Sequence, residues 1–170
     1  MSTLPIRREL TNIAYREVGT VEHATNSGKR VREYQAATSL KGTGWPWCAA
    51  FVCWCVREWA ALPPVAEALR RQYGGKDLTK WLPRTAAAFG FETWAEDHGA
   101  KVLPRRAPLK CGDLMIFSMS HIGIVTTDDD AQTIWTIEGN TGAAGGRDGD
   151  GVWEKTRRRS EARSFIRLLD

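Results

Sequence analysis

Trp45-Pro46-Trp47-Cys48-Ala49-Ala50-Phe51-Val52-Cys53-Trp54-Cys55-Val56-Arg57-Glu58-Trp59-Ala60-Ala61-Leu62 carries only two charged side chains in its whole length. From Cys48 to Leu62 it is apolar nearly all round, which a helix tolerates only when buried on most of its sides. A central helix is therefore expected here, with Trp45-Pro46-Trp47 ahead of it and Pro63-Pro64 behind it as breakers. The longest apolar run, Trp45 to Val56, holds twelve residues, well short of the roughly 20 that cross a bilayer.

Upstream, Ile6, Leu10, Ile13, Ala14 and Val18 recur at intervals of three and four, predicting an amphipathic helix near residues 5 to 18 that stops at Gly19. A short helix around Val31, Tyr34 and Gln35 follows the Asn26-Ser27-Gly28 loop and ends before Gly42-Thr43-Gly44. Downstream, a polar helix over 65 to 72 and another from Arg84 to His98, capped by Gly99, complete the helical part. The character then changes. Residues 113 to 118, 121 to 127, 132 to 138 and 163 to 169 are short runs rich in β-branched and large apolar residues, separated by turn chemistry. Helices first and strands afterwards predict an α+β domain whose antiparallel sheet packs on the early helices.

The 170 residues fit one domain spanning 1–170, and 42% apolar with 26% charged residues is ordinary globular composition, which sets disorder, collagen and solenoid classes aside. The first nine residues place charge where a secretory signal needs an apolar core, so synthesis in the cytoplasm without a signal peptide is expected. Four cysteines could form two disulfides, yet Cys53 and Cys55 point to different sides of a helix and no C-x-x-C pair is present. Reduced thiols are the expectation. A net charge of +4 favours an anionic partner without choosing among nucleic acid, membrane and bacterial envelope. Much of it sits in Lys155-Thr156-Arg157-Arg158-Arg159, read either as a solvated turn or as a surface that steers encounter.

Cys48 at the first turn of a helix is placed where the dipole and free backbone N–H groups favour a thiolate and can also hold the oxyanion of a tetrahedral intermediate. Cys53 and Cys55, deeper in the apolar run, and Cys111, before Gly112-Asp113, read as packing residues. Of three histidines, His23 lies in a polar loop and His98 ends a charged helix, while His121 opens an apolar strand. If 121 to 127 and 132 to 138 form a hairpin around Asp128-Asp129-Asp130-Ala131, Thr127 faces Gln132 and His121 faces Glu138. Glu138 would then accept the imidazole N–H and leave the other ring nitrogen for the thiol, while Asn140, two residues farther on the same face, either does the orienting instead or adds a second hydrogen bond. An accidental polar pair at a sheet end is the competing reading. Gly123 would leave open space for substrate on that face, and Ile122, Ile124, Trp135 and Ile137 would share the opposite one.

Trp47-Cys48-Ala49-Ala50-Phe51-Val52, Gly112-Asp113-Leu114-Met115-Ile116-Phe117, His121-Ile122-Gly123-Ile124-Val125 and Ile137-Glu138-Gly139-Asn140-Thr141, in that order, resemble the cysteine, histidine-dependent amidohydrolase/peptidase (CHAP) family. The resemblance spans roughly residues 40 to 170, with 1–39 as N-terminal helices of the same domain. It implies a papain-like α+β fold and cleavage of peptidoglycan, either as an N-acetylmuramoyl-L-alanine amidase or as an endopeptidase of the stem peptide or cross-bridge. Cys48 matches the family's nucleophile, His121 its base, and Glu138 and Asn140 its third and fourth polar positions.

No metal or organic cofactor is implied. Some relatives bind calcium in acidic loops, but Asp128-Asp129-Asp130 sits at the far end of the hairpin and reads as a solvated turn. The partner implied is bacterial peptidoglycan, with no nucleic acid, no membrane insertion and a monomeric chain. No wall-binding repeat or Src-homology-3-like module is recognised, so Trp45 and Trp47 are candidate sugar-stacking residues, with structural roles as the alternative. A phage endolysin released by a holin, or a type VI effector with an immunity protein in its producer, both fit an enzyme acting in the periplasm or wall. A cytosolic cysteine amidase on a small amide and a non-catalytic wall-binding module are the alternatives.

Overall fold

Residues 4–128, 133–142 and 149–170 are described by a computed structural model. Its helices are α1 (Leu4–Tyr15), α2 (Lys29–Gln35), α3 (Cys48–Ala60), α4 (Pro63–Gln72), α5 (Leu78–Trp81) and α6 (Gly90–His98). The strands are β1 (Lys101–Pro104), β2 (Leu114–Phe117), β3 (His121–Val125), β4 (Thr133–Thr141), β5 (Gly151–Arg158) and β6 (Ala162–Arg167). They form one antiparallel sheet in the order β1-β6-β2-β3-β4-β5, so the architecture is α+β as the sequence pattern required. Among the described residues, no helix is long and apolar enough to cross a membrane.

The local chemistry explains where the elements begin. Pro63 and Pro64 do not merely end α3; they open α4, because a first-turn residue has no intrahelical acceptor for its N–H and loses nothing by being proline. Gly99 ends α6 at φ 80°, the left-handed cap expected of it. The helix predicted from Arg84 is shorter than expected. Residues 83 to 89 are irregular instead, with the Thr85 hydroxyl accepting from the Ala87 N–H. Two strands and α5 escaped the sequence pattern. β1 is short and mostly exposed, and β5 carries four charged residues, Glu154, Lys155, Arg157 and Arg158, against two large apolar ones, Val152 and Trp153.

α3 is buried from Cys48 through Val56. It packs with Leu114, Ile116, Ile122, Ile124, Ile137 and Ile166 of the sheet in one core. Each large apolar side chain so buried contributes roughly 1.5–3 kcal/mol, so packing rather than propensity holds this helix. The opposite sheet face buries Met115, Phe117, Val125, Ile134 and Phe165. Arg157 and Arg159 lie over it, their guanidinium carbons 5.2 Å from the Phe117 ring and 5.8 Å from the Phe165 ring. Ile122, Ile124 and Ile137 share the helix-covered face as expected, whereas Trp135 stays 45% exposed because no helix reaches the outer end of β4.

α3 approaches β4 most closely at Gly139, where a Cβ would stand 2.6 Å from the Phe51 Cβ and 2.9 Å from the Trp47 ring. That contact seats the first turn of α3 against the strand. Gly139→Ala is expected to destabilise the protein by about 1–3 kcal/mol through overpacking. A urea midpoint unchanged from wild type would show that the helix start is not clamped there.

Candidate active site

Cys48 is the first residue of α3 and is only 7% exposed, its sulfur opening on a cleft of about 230 Å³. Leu40, Trp45 and Pro46 form one wall of that cleft, Ala86 to Ala88 another, and Ser120 and Asn140 close it beside Cys48. All four cysteines are free thiols. Cys53 and Cys55 are buried in the core, and burial pushes both thiols up, which suits packing rather than attack. Cys111 is likewise buried and raised by desolvation, with the Thr11 hydroxyl 3.6 Å from its sulfur.

His121 begins β3 and is wholly buried. Its Nε2 stands 2.9 Å from Glu138 Oε2, and its Nδ1 has no hydrogen-bond partner. Burial by itself would lower the ring's proton affinity, but interaction with the Cys48 side chain and with Glu138 outweighs it and pushes the pKa up to about 9. The free nitrogen is thus the one available to the sulfur. His98 instead donates through Nδ1 to the Trp94 carbonyl, 2.9 Å away, and His23 is exposed in its loop.

Glu138 has no solvent exposure and is held on three sides. Arg157 donates through Nε to Oε1 at 2.8 Å and through Nη2 to Oε2 at 2.6 Å, and the Thr136 hydroxyl donates to Oε1 at 2.6 Å. Desolvation pushes this carboxyl up, but Arg157 and His121 prevail and bring it down to about 2, so it stays ionised.

The CHAP domain family model matches residues 40–140, more than half of the chain. This chain belongs to the CHAP family. CHAP domains are cysteine and histidine amidohydrolases or peptidases of papain-like fold, related to peptidoglycan. The matched segment contains Cys48, His121, Glu138 and Asn140, while α1, α2, β5 and β6 lie outside it. No curated protein matches the chain.

The CHAP site corrects several sequence expectations. The hairpin pairs Ile124 with Ile137 and Val125 with Thr136, two residues away from the register inferred from a four-residue turn. Counting on, Glu138 stands opposite Gly123 rather than His121, and it reaches His121 diagonally. Gly123 therefore leaves no open place for substrate. A Cβ there would stand 2.7 Å from the Glu138 Cγ, so the glycine makes room for the carboxylate arm. Asp129 to Gln132 of the turn lie outside the described residues; Asp128 accepts from the Cys111 N–H at 2.9 Å and faces Arg7 at 3.8 Å. Among the described residues, no group of three or more His, Cys, Asp or Glu could hold a metal ion.

Trp47 is not a sugar platform. It is fully buried, stacked on Tyr34 at 5.4 Å, and its Nε1 donates to Glu22 Oε1 at 2.6 Å. Trp45 does line the cleft, its Nε1 donating to the Gly42 carbonyl at 3.2 Å. Asn140 also lines it, at φ 54°, with Oδ1 buried and unpartnered. His121 is thus held by Glu138, and the expected second bond from Asn140 is not formed.

The basic run is not a solvated turn either. Arg157 and Arg159 are buried, and Arg159 donates to the carbonyls of Arg105 and Ala107 at 3.0 and 2.9 Å; of the three arginines, Arg158 alone is exposed. Arg157 and Ser120, at φ 59° beside His121, are the site residues sequence reasoning missed. The only trace of Arg157 was the period-two spacing Trp153, Lys155, Arg157, which sets it on the same face as Glu138 once β4 and β5 are paired.

Arg157→Met should leave a buried carboxylate without its counter-charge and cost about 3–5 kcal/mol of stability. Turnover should fall at least tenfold with little change in KM, and Arg157→Lys should recover part of it. Urea unfolding and steady-state rates would check this, and full activity in Arg157→Met would show that Glu138 needs no cation.

Proposed function

We propose that this CHAP protein cleaves an amide bond of peptidoglycan, with Cys48 as nucleophile and His121 as the proton carrier. The observation that carries the reading is the division of the His121 ring: Nε2 is engaged by an ionised Glu138, and Nδ1 is unpartnered beside a cysteine that opens on a cleft. Nothing in packing requires a buried imidazole to leave one nitrogen unpaired.

In this mechanism the Cys48 thiolate attacks the carbonyl carbon of the scissile amide. Negative charge develops on the carbonyl oxygen near the free N–H groups at the start of α3. The His121 imidazolium gives its proton to the departing nitrogen, the C–N bond breaks, and a thioester to Cys48 remains. Neutral His121 then takes a proton from water, which attacks the thioester and releases the acid product and the thiolate. Glu138 fixes the ring tautomer and stabilises the imidazolium throughout. The bond is either the muramoyl-L-alanine amide or one in the stem peptide or cross-bridge. The enzyme serves as a phage endolysin or a delivered antibacterial effector acting on the periplasmic wall.

Purified wild-type protein should release amide-cleaved fragments from sacculi, identified by mass spectrometry. Cys48→Ala should release none while remaining folded by circular dichroism. Fragment release that persists in Cys48→Ala would sink the cysteine mechanism.

The pH dependence follows from the ring. Only its protonated form can donate to the leaving nitrogen, and that form is lost as pH rises through about 9, so the rate should fall on the alkaline side there. Since Cys48 is one cause of the raised value, the His121 ring in Cys48→Ala should titrate lower than in wild type by proton NMR. Equal titration in both proteins would separate the two side chains.

A further inference from the structure

Among the described residues, three that are not glycine hold a left-handed backbone, Asn26, Ser120 and Asn140, and two of these line the Cys48 cleft. Asparagine enters that region readily and serine has no such advantage, so Ser120 at φ 59° is the more strained of the two. The hairpin explains why the conformation is demanded. β2 and β3 pair Phe117 with His121, which leaves Ser118, Met119 and Ser120 as a three-residue loop. A loop of that length commonly ends on a left-handed residue, a position glycine fills without strain. The chain keeps a side chain where the backbone alone would do better with none.

That side chain stands where a substrate must lie. Ser120 is exposed, lines the cleft with Cys48 and directly precedes His121. Its hydroxyl has no hydrogen-bond partner among the described residues, although the loop itself is tied down, the Ser118 N–H donating to the Glu161 carbonyl at 3.1 Å. The walls of the cleft are Leu40, Trp45, Pro46 and Ala86 to Ala88, and no charged side chain is among the described residues that line it. Ser120 and Asn140 are therefore the polar side chains beside Cys48 in a largely apolar cleft. Such a lining suits a peptide, whose side chains can meet the apolar walls while its backbone groups meet the hydroxyl and the amide. A sugar ring carries hydroxyls around its rim, and those facing Leu40 and the alanines would lose their water unpaired.

Resting on the peptidoglycan reading of the Cys48 site, we propose that Ser120 is a substrate-binding residue, its hydroxyl hydrogen-bonding a backbone group of the peptide arm next to the amide that Cys48 attacks. A hydroxyl can donate to a peptide carbonyl or accept from a peptide N–H, and either bond holds the arm beside the sulfur. The strained backbone at Ser120 is what keeps that hydroxyl at the cleft.

The test reads binding without turnover, in the full chain carrying Cys48→Ala. Calorimetry would measure its affinity for N-acetylmuramyl tripeptide, and again after adding Ser120→Ala or Ser120→Gly. Alanine keeps the Cβ that strains the backbone and glycine relieves it, but neither has the hydroxyl. Both should weaken binding by the same factor, about three- to tenfold, the scale of one neutral hydrogen bond. Affinity unchanged by Ser120→Ala, a loss confined to Ser120→Gly, or no binding of the tripeptide to Cys48→Ala overturns the proposal. With Cys48 intact, the pH profile of its alkylation by iodoacetamide should be the same in Ser120→Ala as in wild type. A shifted profile would place Ser120 behind His121 rather than against substrate and overturn the proposal as well. If wild-type protein releases nothing from sacculi while both substitutions still weaken tripeptide binding, the hydrolase reading falls and the Ser120 contact stands.

Discussion

A carboxylate with no access to water sits in the middle of this fold, and the surrounding structure is arranged around its charge. Glu138 could not remain ionised there unaided, since removing a carboxylate from water costs several kcal/mol. Its place on β4 solves the problem, because β4 has a neighbour on each side. β3 supplies His121, β5 supplies Arg157, and Thr136 adds a hydroxyl from β4 itself. Gly123 gives the arm room to cross. The chain Arg157, Glu138, His121, Cys48 then alternates in sign when the thiol is ionised, so each charge is compensated by the next.

Cys48, the proposed nucleophile, depends on the same sheet by another route. α3 is the spine of the core, and its first turn also carries Cys48 to the cleft. Gly139 lets the Trp47–Phe51 turn lie directly on β4, one residue beyond Glu138. The cleft walls are tied to this frame. Ser39 donates through its N–H and its hydroxyl to the Arg84 carbonyl at 2.8 and 3.0 Å, joining the two walls. The Cys53 thiol donates to the Thr85 carbonyl at 3.4 Å, anchoring one of them on α3. Cys53 therefore supports the cleft from below.

Much of the arrangement was legible beforehand. The all-round apolar run after Trp47 announced a buried helix, and the short β-branched runs after Cys111 announced a sheet. The residue types of the site were equally plain, as a cysteine at a helix start and a histidine opening a strand have few other uses in combination. The observed register lies two residues from the one a four-residue turn would give, because residue composition does not fix the length of a turn. Period two preserves the face under such a slip, so Glu138 was still placed on the side of His121 although not opposite it.

The sequence by itself determined which faces are apolar, which helix is central and which side chains can carry the chemistry, because those follow from local periodicity and residue chemistry. Only the tertiary structure decided who touches whom. Arg157 reads as part of a solvated basic run until β5 lies against β4, and it then becomes the counter-charge of Glu138. Trp47 reads as a binding aromatic until α2 brings Tyr34 and the Glu22 loop over it. In both cases the deciding term is desolvation by a segment distant in the chain, and no local pattern encodes which distant segment will come to cover a given side chain.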